Sequence, residues 1–145
     1  MPLGDPRGGL FEYGGEGLPE SVFAVTIPVS DIERSIRFYT AVLGMKLLGK
    51  EEGRAYLRRE DCRIILEKSP SAGTDTRVYF GTDSPYNTRR RLSDEGVEFV
   101  SDPARTPFGV AAAFLDPDGN ILRVMDRTSE FRIRLIRGNT LSRWV

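Results

Sequence analysis

The 145-residue chain contains no histidine. This removes the side chain whose ordinary pKa lies near neutrality, which is also a common nitrogen ligand of transition metals. Proton transfer at neutral pH would then need a carboxyl group raised by burial, or a tyrosine or lysine lowered by its surroundings. Cysteine occurs once, at Cys62, so no disulfide can form within the chain and a reducing compartment is expected. No run of about eighteen apolar residues occurs, which excludes an ordinary spanning helix. Residues Met1 to Asp5 lack the basic and apolar regions of a secretion signal, so a cytoplasmic location is expected. Neither sign of charge predominates. With 21 basic and 21 acidic residues, nothing in the net charge favours nucleic acid or an anionic membrane as a partner. Lysine is scarce too: only Lys46, Lys50 and Lys68 are lysines, and the other 18 basic residues are arginines. That bias reflects either genome composition or planar forks that bind anions, and position must decide between them.

What is present suits one domain. Hydrophobic residues make up 39% of the chain, enough for a core. Residues 1–20 carry six glycines and three prolines and read as a flexible arm, tied down by Leu10, Phe11 and Tyr13 or else a disordered leader. From Phe23 to Val29 apolar residues alternate with others, as in a strand with one buried face. Ser30 followed by Glu33 forms a capping box, Ile32, Ile36, Tyr39 and Leu43 recur at helical spacing, and Gly44 closes the helix. Strands are expected over Met45–Lys50, Arg54–Arg59 and Cys62–Lys68, with Cys62 as a small core residue.

After a linker at residues 69–73 the order repeats. A strand over Arg77–Asp83 precedes a helix opened by Ser84 and Pro85 and ending near Gly96. Strands follow over Val97–Val100, Phe108–Leu115 and Asn120–Asp126, with a tight turn at Asp116–Asn120. Val25-x-Ile27-x-Val29-Ser30-Asp31 echoes Val78-x-Phe80-x-Thr82-Asp83-Ser84, which indicates duplication of one module. Residues 127–145 end in an alternation of Phe131, Ile133 and Leu135 with Arg132, Arg134 and Arg137. It reads as an extra strand, a dimer contact or, less simply, a nucleic-acid stripe.

Two passages carry a resemblance. The run Val25-Thr26-Ile27-Pro28-Val29-Ser30-Asp31 through Phe38-Tyr39 to Leu43-Gly44, and the run Phe114-Leu115-Asp116-Pro117-Asp118-Gly119-Asn120, are similar to the signatures of the glyoxalase/bleomycin-resistance/dioxygenase (vicinal oxygen chelate) superfamily. The resemblance covers residues 22–126 and implies an α+β fold: two βαβββ modules, about 22–68 and 75–126, forming a cup-shaped sheet with flanking helices, usually in a homodimer. It also implies that enzymes of the family hold a divalent metal with four inward side chains, typically His, Glu or Gln.

Transferred residue by residue, those positions fall on Ala24, Arg77 and Arg123, and less firmly on Ile65, with Arg63 or Glu67 as stand-ins on the same face. Alanine and isoleucine offer no donor atom, and a guanidinium has no lone pair for a cation. No metal and no cofactor is therefore expected, a carboxylate-only site on Glu67 being the alternative. By strand alternation Ala24, Thr26, Arg63, Ile65, Glu67, Arg77, Tyr79, Arg123 and Met125 share one side, while Val25, Ile27, Val29, Val78, Phe80, Leu122 and Val124 face the helices. The two arginines either bind a carboxylate or phosphate on an organic ligand, pair with Glu67 or Glu98, or lie at the rim in water. Tyr56 and Phe108 are expected in the core. The function expected is metal-independent binding of a small anionic molecule at Arg77, Arg123, Tyr79, Ile65, Ala24, Glu67 and Arg63, by a homodimer without nucleic-acid or membrane partners. The alternatives are a divergent lyase, isomerase or dioxygenase-like enzyme using Glu67 or Tyr79 for acid/base work, and a protein-interaction module.

Overall fold

The computed structural model describes residues 14–126; the N-terminal arm before Gly14 and the tail after Asp126 lie outside the described residues. The elements run β1 (Val25–Val29), α1 (Ile32–Arg37) continuing into a π-helical stretch (Phe38–Val42), β2 (Lys46–Glu51), β3 (Arg54–Arg59) and β4 (Cys62–Lys68). The second series is β5 (Asp75–Thr82), α2 (Pro85–Asp94), β6 (Phe99–Thr106), β7 (Gly109–Leu115) and β8 (Ile121–Asp126). The strands form two four-stranded sheets, ordered β1-β4-β3-β2 and β5-β8-β7-β6, with no closed barrel. In each, the first strand lies parallel to the last and the other pairs are antiparallel. This is the α+β, twice-βαβββ order read from the sequence. Pro28 in β1 and Pro103 in β6 both sit on edge strands, where a missing amide costs no ladder bond.

One core serves both modules. Ile27, Val29, Ala55, Leu57, Ile64 and Leu66 from the first sheet join Ala112, Phe114, Leu122 and Val124 from the second, with Tyr39 and Leu92 from the helices. Val25, Phe80 and Cys62 pack against this cluster, as the alternation and the apolar context of the thiol imply. Phe108 does not: it is 60% exposed in the turn before β7, so its expected place in the core is corrected. Tyr56 is half-buried and donates its hydroxyl to Glu51 at 2.9 Å.

The helix start also differs from expectation. Asp31, not Ser30, is the N-cap, its carboxylate accepting the Arg34 amide at 3.1 Å. Ser30 is drawn elsewhere: its amide (3.2 Å) and its hydroxyl both donate to Asp118 of the second module. The Asp118 side chain is 4% exposed and also accepts Arg34 at 2.7 Å, so a carboxylate shielded from water takes the Ser30 amide that a capping box would have given to Glu33 and turns the Ser30 hydroxyl from acceptor to donor. At the other end Gly44 adopts φ +75°, a conformation that favours glycine, and a Cβ there would also press on the movable end of Arg59. The expected second helix stands, with Ser84 capping Asn87 and Pro85 in the first turn. β6 begins two residues late and runs to Thr106, with register shifts that the alternation does not reveal.

The modules are joined by a buried polar knot at the Asp116–Asn120 turn. Asp116 is 5% exposed and accepts four donors: Tyr39 Oη at 2.7 Å, Asn120 Nδ2 at 2.8 Å, and the amides of Asp118 and Asn120, each at 2.9 Å. Asn120 is fully buried, donates to the Pro28 carbonyl of β1 at 2.8 Å, and accepts the amides of Gly73 and Thr74 at 2.8 and 2.9 Å. Burial and the adjacent Asp116 carboxylate push the Tyr39 hydroxyl far above its ordinary pKa, so it remains a donor. Tyr39→Phe removes one donor from a buried carboxylate. It should lower stability by about 1–3 kcal/mol in urea unfolding; an unchanged midpoint would show that the hydroxyl contributes nothing.

Candidate ligand-binding faces

Each sheet gives one face to the shared core and, among the described residues, leaves the other free of helices. The sequence-expected site residues fall into two groups, one per sheet.

On the first sheet Thr26, Ile65 and Tyr56 lie side by side in register, with Ile65 half-buried and Thr26 exposed. Ala24 is half-buried just before β1. The Arg63 guanidinium lies over the Phe23 ring, 4.8 Å from its centroid. Glu67 is engaged by Arg54, which donates from Nε at 2.8 Å and Nη2 at 2.7 Å. That bond raises the Arg54 pKa further. Glu67 therefore meets neither of the arginines with which the sequence reading paired it.

The second sheet carries Arg77, Tyr79 and Arg123. Tyr79 and Arg123 are neighbours across β5 and β8, and the guanidinium carbon lies 5.7 Å from the tyrosine centroid. Tyr79 is 55% exposed. Arg123 is paired, but with neither Glu67 nor Glu98: Asp75 accepts Nη1 at 2.6 Å and Nη2 at 3.0 Å in a two-pronged bond. Hydrogen bonding to Arg123, helped by the Arg77 amide, lowers the Asp75 pKa to about 2. The same bond to Asp75 raises Arg123.

Arg77 departs from the alternation. Its φ is +59°, the left-handed region that a branched or long side chain rarely adopts. A register shift separates Asp75 from Val78, so strand parity does not fix the face of Arg77. Asp75 Oδ1 accepts the Arg77 amide at 2.9 Å, and Thr76 Oγ1 accepts that of Val78 at 3.2 Å while donating to the Ile121 carbonyl. The Arg77 side chain is exposed and makes no hydrogen bond or ion pair among the described residues. Asp75 and Arg54 were not singled out in the sequence. For Asp75 a signal exists, since an Asp in a Thr-Asp-Thr turn tends to bind the amide two residues on; the Arg54–Glu67 pair needs the strand register.

These residues do not suit a divalent metal. Ala24 and Ile65 provide no donor atom, Arg77 and Arg123 are cations, and Glu67 is already bound by Arg54. Among the described residues no three of His, Cys, Asp and Glu come together as a metal site. A cleft of about 870 Å³ opens between the modules on the core side, bounded by Gly44, Asp61 and Cys62 and by Thr82, Asp83 and Arg91. None of the expected site residues lines it. Burial and the Asp61 charge raise the Cys62 thiol there, which leaves it a weak nucleophile. No described helix is long and apolar enough to cross a membrane.

Residues 21–124 match the model of the Glyoxalase/Bleomycin resistance protein/Dioxygenase superfamily. The chain is 31% identical over 139 residues to a lactoylglutathione lyase of Oryza sativa subsp. japonica, covering 79% of this chain but only 47% of that protein. A probable lactoylglutathione lyase of Synechocystis sp. is 28% identical over 122 residues, covering 72% of this chain and 93% of that one. Among solved structures, the antibiotic-binding protein TnmS3 of Streptomyces sp. CB03234 aligns with a TM-score of 0.65 at 27% identity, over 75% of this chain and 98% of its own. Fold, repeat order and family match agree: the chain belongs to the Glyoxalase/Bleomycin resistance protein/Dioxygenase superfamily.

Proposed function

We propose that the protein is a metal-independent binder of small organic anions, working in the cytoplasm as a homodimer. The observation that carries this reading is an exposed cation and a half-exposed ring close together in the sequence of β5. Arg77, at φ +59°, lies two residues before the 55% exposed Tyr79, at a position that the family resemblance assigns to a metal ligand. Strained non-glycine residues gather at binding sites, because the surrounding structure must hold them there. The antibiotic-binding relative supports a binding role on this fold. The outer faces, free of helices among the described residues, support a homodimer in which the first sheet of one chain closes over the second sheet of another to make a cup. The single, half-buried thiol is compatible with a reducing compartment.

A lyase is the second reading, favoured by the 31% identity to the rice enzyme. Against it stand the donor-poor ligand positions and the commitment of Glu67 to Arg54.

Three measurements test the proposal. A flat aromatic carboxylate such as 2-naphthoate should raise the melting temperature of the full chain, and Arg77→Ala should abolish the rise; an equal rise in the variant removes Arg77 from the site. Elemental analysis after exposure to nickel, zinc, manganese and iron should find well under one ion per chain. Stoichiometric metal together with lactoylglutathione lyase activity would establish the lyase instead. Light scattering on the eluting protein should give twice the chain mass of 16.3 kDa, and a single-chain mass would refute the dimer.

A further inference from the structure

We infer that the outer face of the first sheet binds the diphosphate group of an organic ester on a row of three cations, Lys46, Arg58 and Arg63. This goes beyond the reading above, since it uses the other sheet and neither Arg77 nor Tyr79. The side on which the row lies follows from strand pairing. Ala55 and Leu57 of β3 and Ile64 and Leu66 of β4 are buried in the shared core, so the residues alternating with them project from the opposite face. Arg58 pairs with Arg63 on β4 and with Lys46 on β2, ahead of the register shift that follows Leu47. The three residues thus stand side by side on adjacent strands, about 4.8 Å apart at each step.

The rest of the face is graded in charge. The next row, Gly49, Tyr56 and Ile65, carries no charge, and the row beyond it sets Arg54 between Glu51 and Glu67, with a net negative charge. Like charges directly opposite one another are destabilising. Arg58 gives its Nε to the Glu60 carbonyl at 2.6 Å, and the Arg63 guanidinium lies 4.8 Å from the Phe23 centroid; neither contact involves a carboxylate. Among the described residues neither Lys46 nor Arg58 forms an ion pair, and neither do Glu60 and Asp61 in the turn after β3.

A lone carboxylate would engage one member of the row and leave the other two opposed. A diphosphate ester carries about three negative charges at neutral pH, and its oxygens, on two phosphorus atoms, can accept donors from neighbouring strands at once. The half-buried Tyr56 and Ile65 in the adjoining row suit the organic body. The acidic third row repels phosphate and so fixes the direction in which the ester lies. It also bars an extended polyanion such as nucleic acid from running on across the face.

The full-length protein is titrated calorimetrically, in magnesium-free buffer, with orthophosphate, pyrophosphate and ADP. Wild type should bind ADP more tightly than pyrophosphate, and pyrophosphate more tightly than orthophosphate. Lys46→Gln and Arg58→Gln should each weaken pyrophosphate and ADP by about fivefold. Their melting temperatures without ligand should hold or rise, because each change relieves a like-charge contact. Tyr56→Ala should weaken ADP and spare pyrophosphate.

Two controls fix the place. Lys50 is also on β2 but pairs in register with the buried Ala55 and is bound to Glu33, so Lys50→Gln removes the same charge from the other side and should change none of the affinities. Arg77→Ala should leave diphosphate binding intact. Wild-type affinity in both Lys46→Gln and Arg58→Gln, an equal loss in either control, or ADP binding no tighter than pyrophosphate overturns this inference and leaves the naphthoate reading standing. Loss of naphthoate binding with diphosphate binding intact overturns that reading and not this one.

Discussion

The arrangement of both sheets depends on one buried carboxylate. Asp116 brings a negative charge into the seam between the modules, and an unpaired charge there would be very costly. Four donors offset that cost: one from the first helix, two amides of its own turn, and the Asn120 side chain. Asn120 then passes the constraint on to the Pro28 carbonyl in β1 and to the amides of Gly73 and Thr74. A five-residue turn therefore fixes the edge of the first sheet, the linker and the start of the second sheet together. Thr74 directly precedes Asp75, and its carbonyl accepts the Ile121 amide two residues before Arg123. The two partners of this ion pair thus leave the knot on adjacent strands, Asp75 one residue beyond Thr74 and Arg123 three beyond Asn120.

The outer faces show how neighbouring arginines are accommodated on one sheet. Arg58 and Arg63 stand opposite each other in register, an arrangement that would repel if both charges faced the same water. Each is turned toward a different neighbour: Arg58 Nε donates to the Glu60 carbonyl at 2.6 Å, and Arg63 lies on the Phe23 ring. Arg54 and Arg123 each take a carboxylate from the strand beside them. The Arg77 guanidinium, by contrast, makes no hydrogen bond or ion pair among the described residues.

Much of this was legible because it is local. Alternation placed β3 and β4 at their observed bounds, Ser84-Pro85 marked a helix start, and Gly44 marked an end that only a positive φ can make. What the sequence did not disclose depends on distant partners. Ser30 lost its capping role to Asp118, 88 residues away, and no local pattern encodes that competition. Arg77 read as an ordinary strand residue because alternation assumes unbroken pleating, whereas the Asp75 side chain makes a bulge there. Glu67 and Arg123 were both correctly placed on outer faces, yet each found a partner named by strand register and not by distance along the chain. Phe108 looked like a core residue by type, but it falls in the turn between β6 and β7, where no second layer covers it.

Duplication supplied two modules of the same order, and their outer faces have since diverged. The first carries three arginines on adjacent strands with Glu67 and an aliphatic centre at Ile65; the second carries Tyr79, the neutralised Arg123–Asp75 pair and Arg77. If two copies close first sheet on second, as proposed, each cup is lined by unlike halves. A cup of identical halves would accept a ligand in two equivalent orientations. In the proposed dimer, the half containing Tyr79 and the half containing Ile65 would present different groups to a ligand, so its orientation would come from the asymmetry between modules.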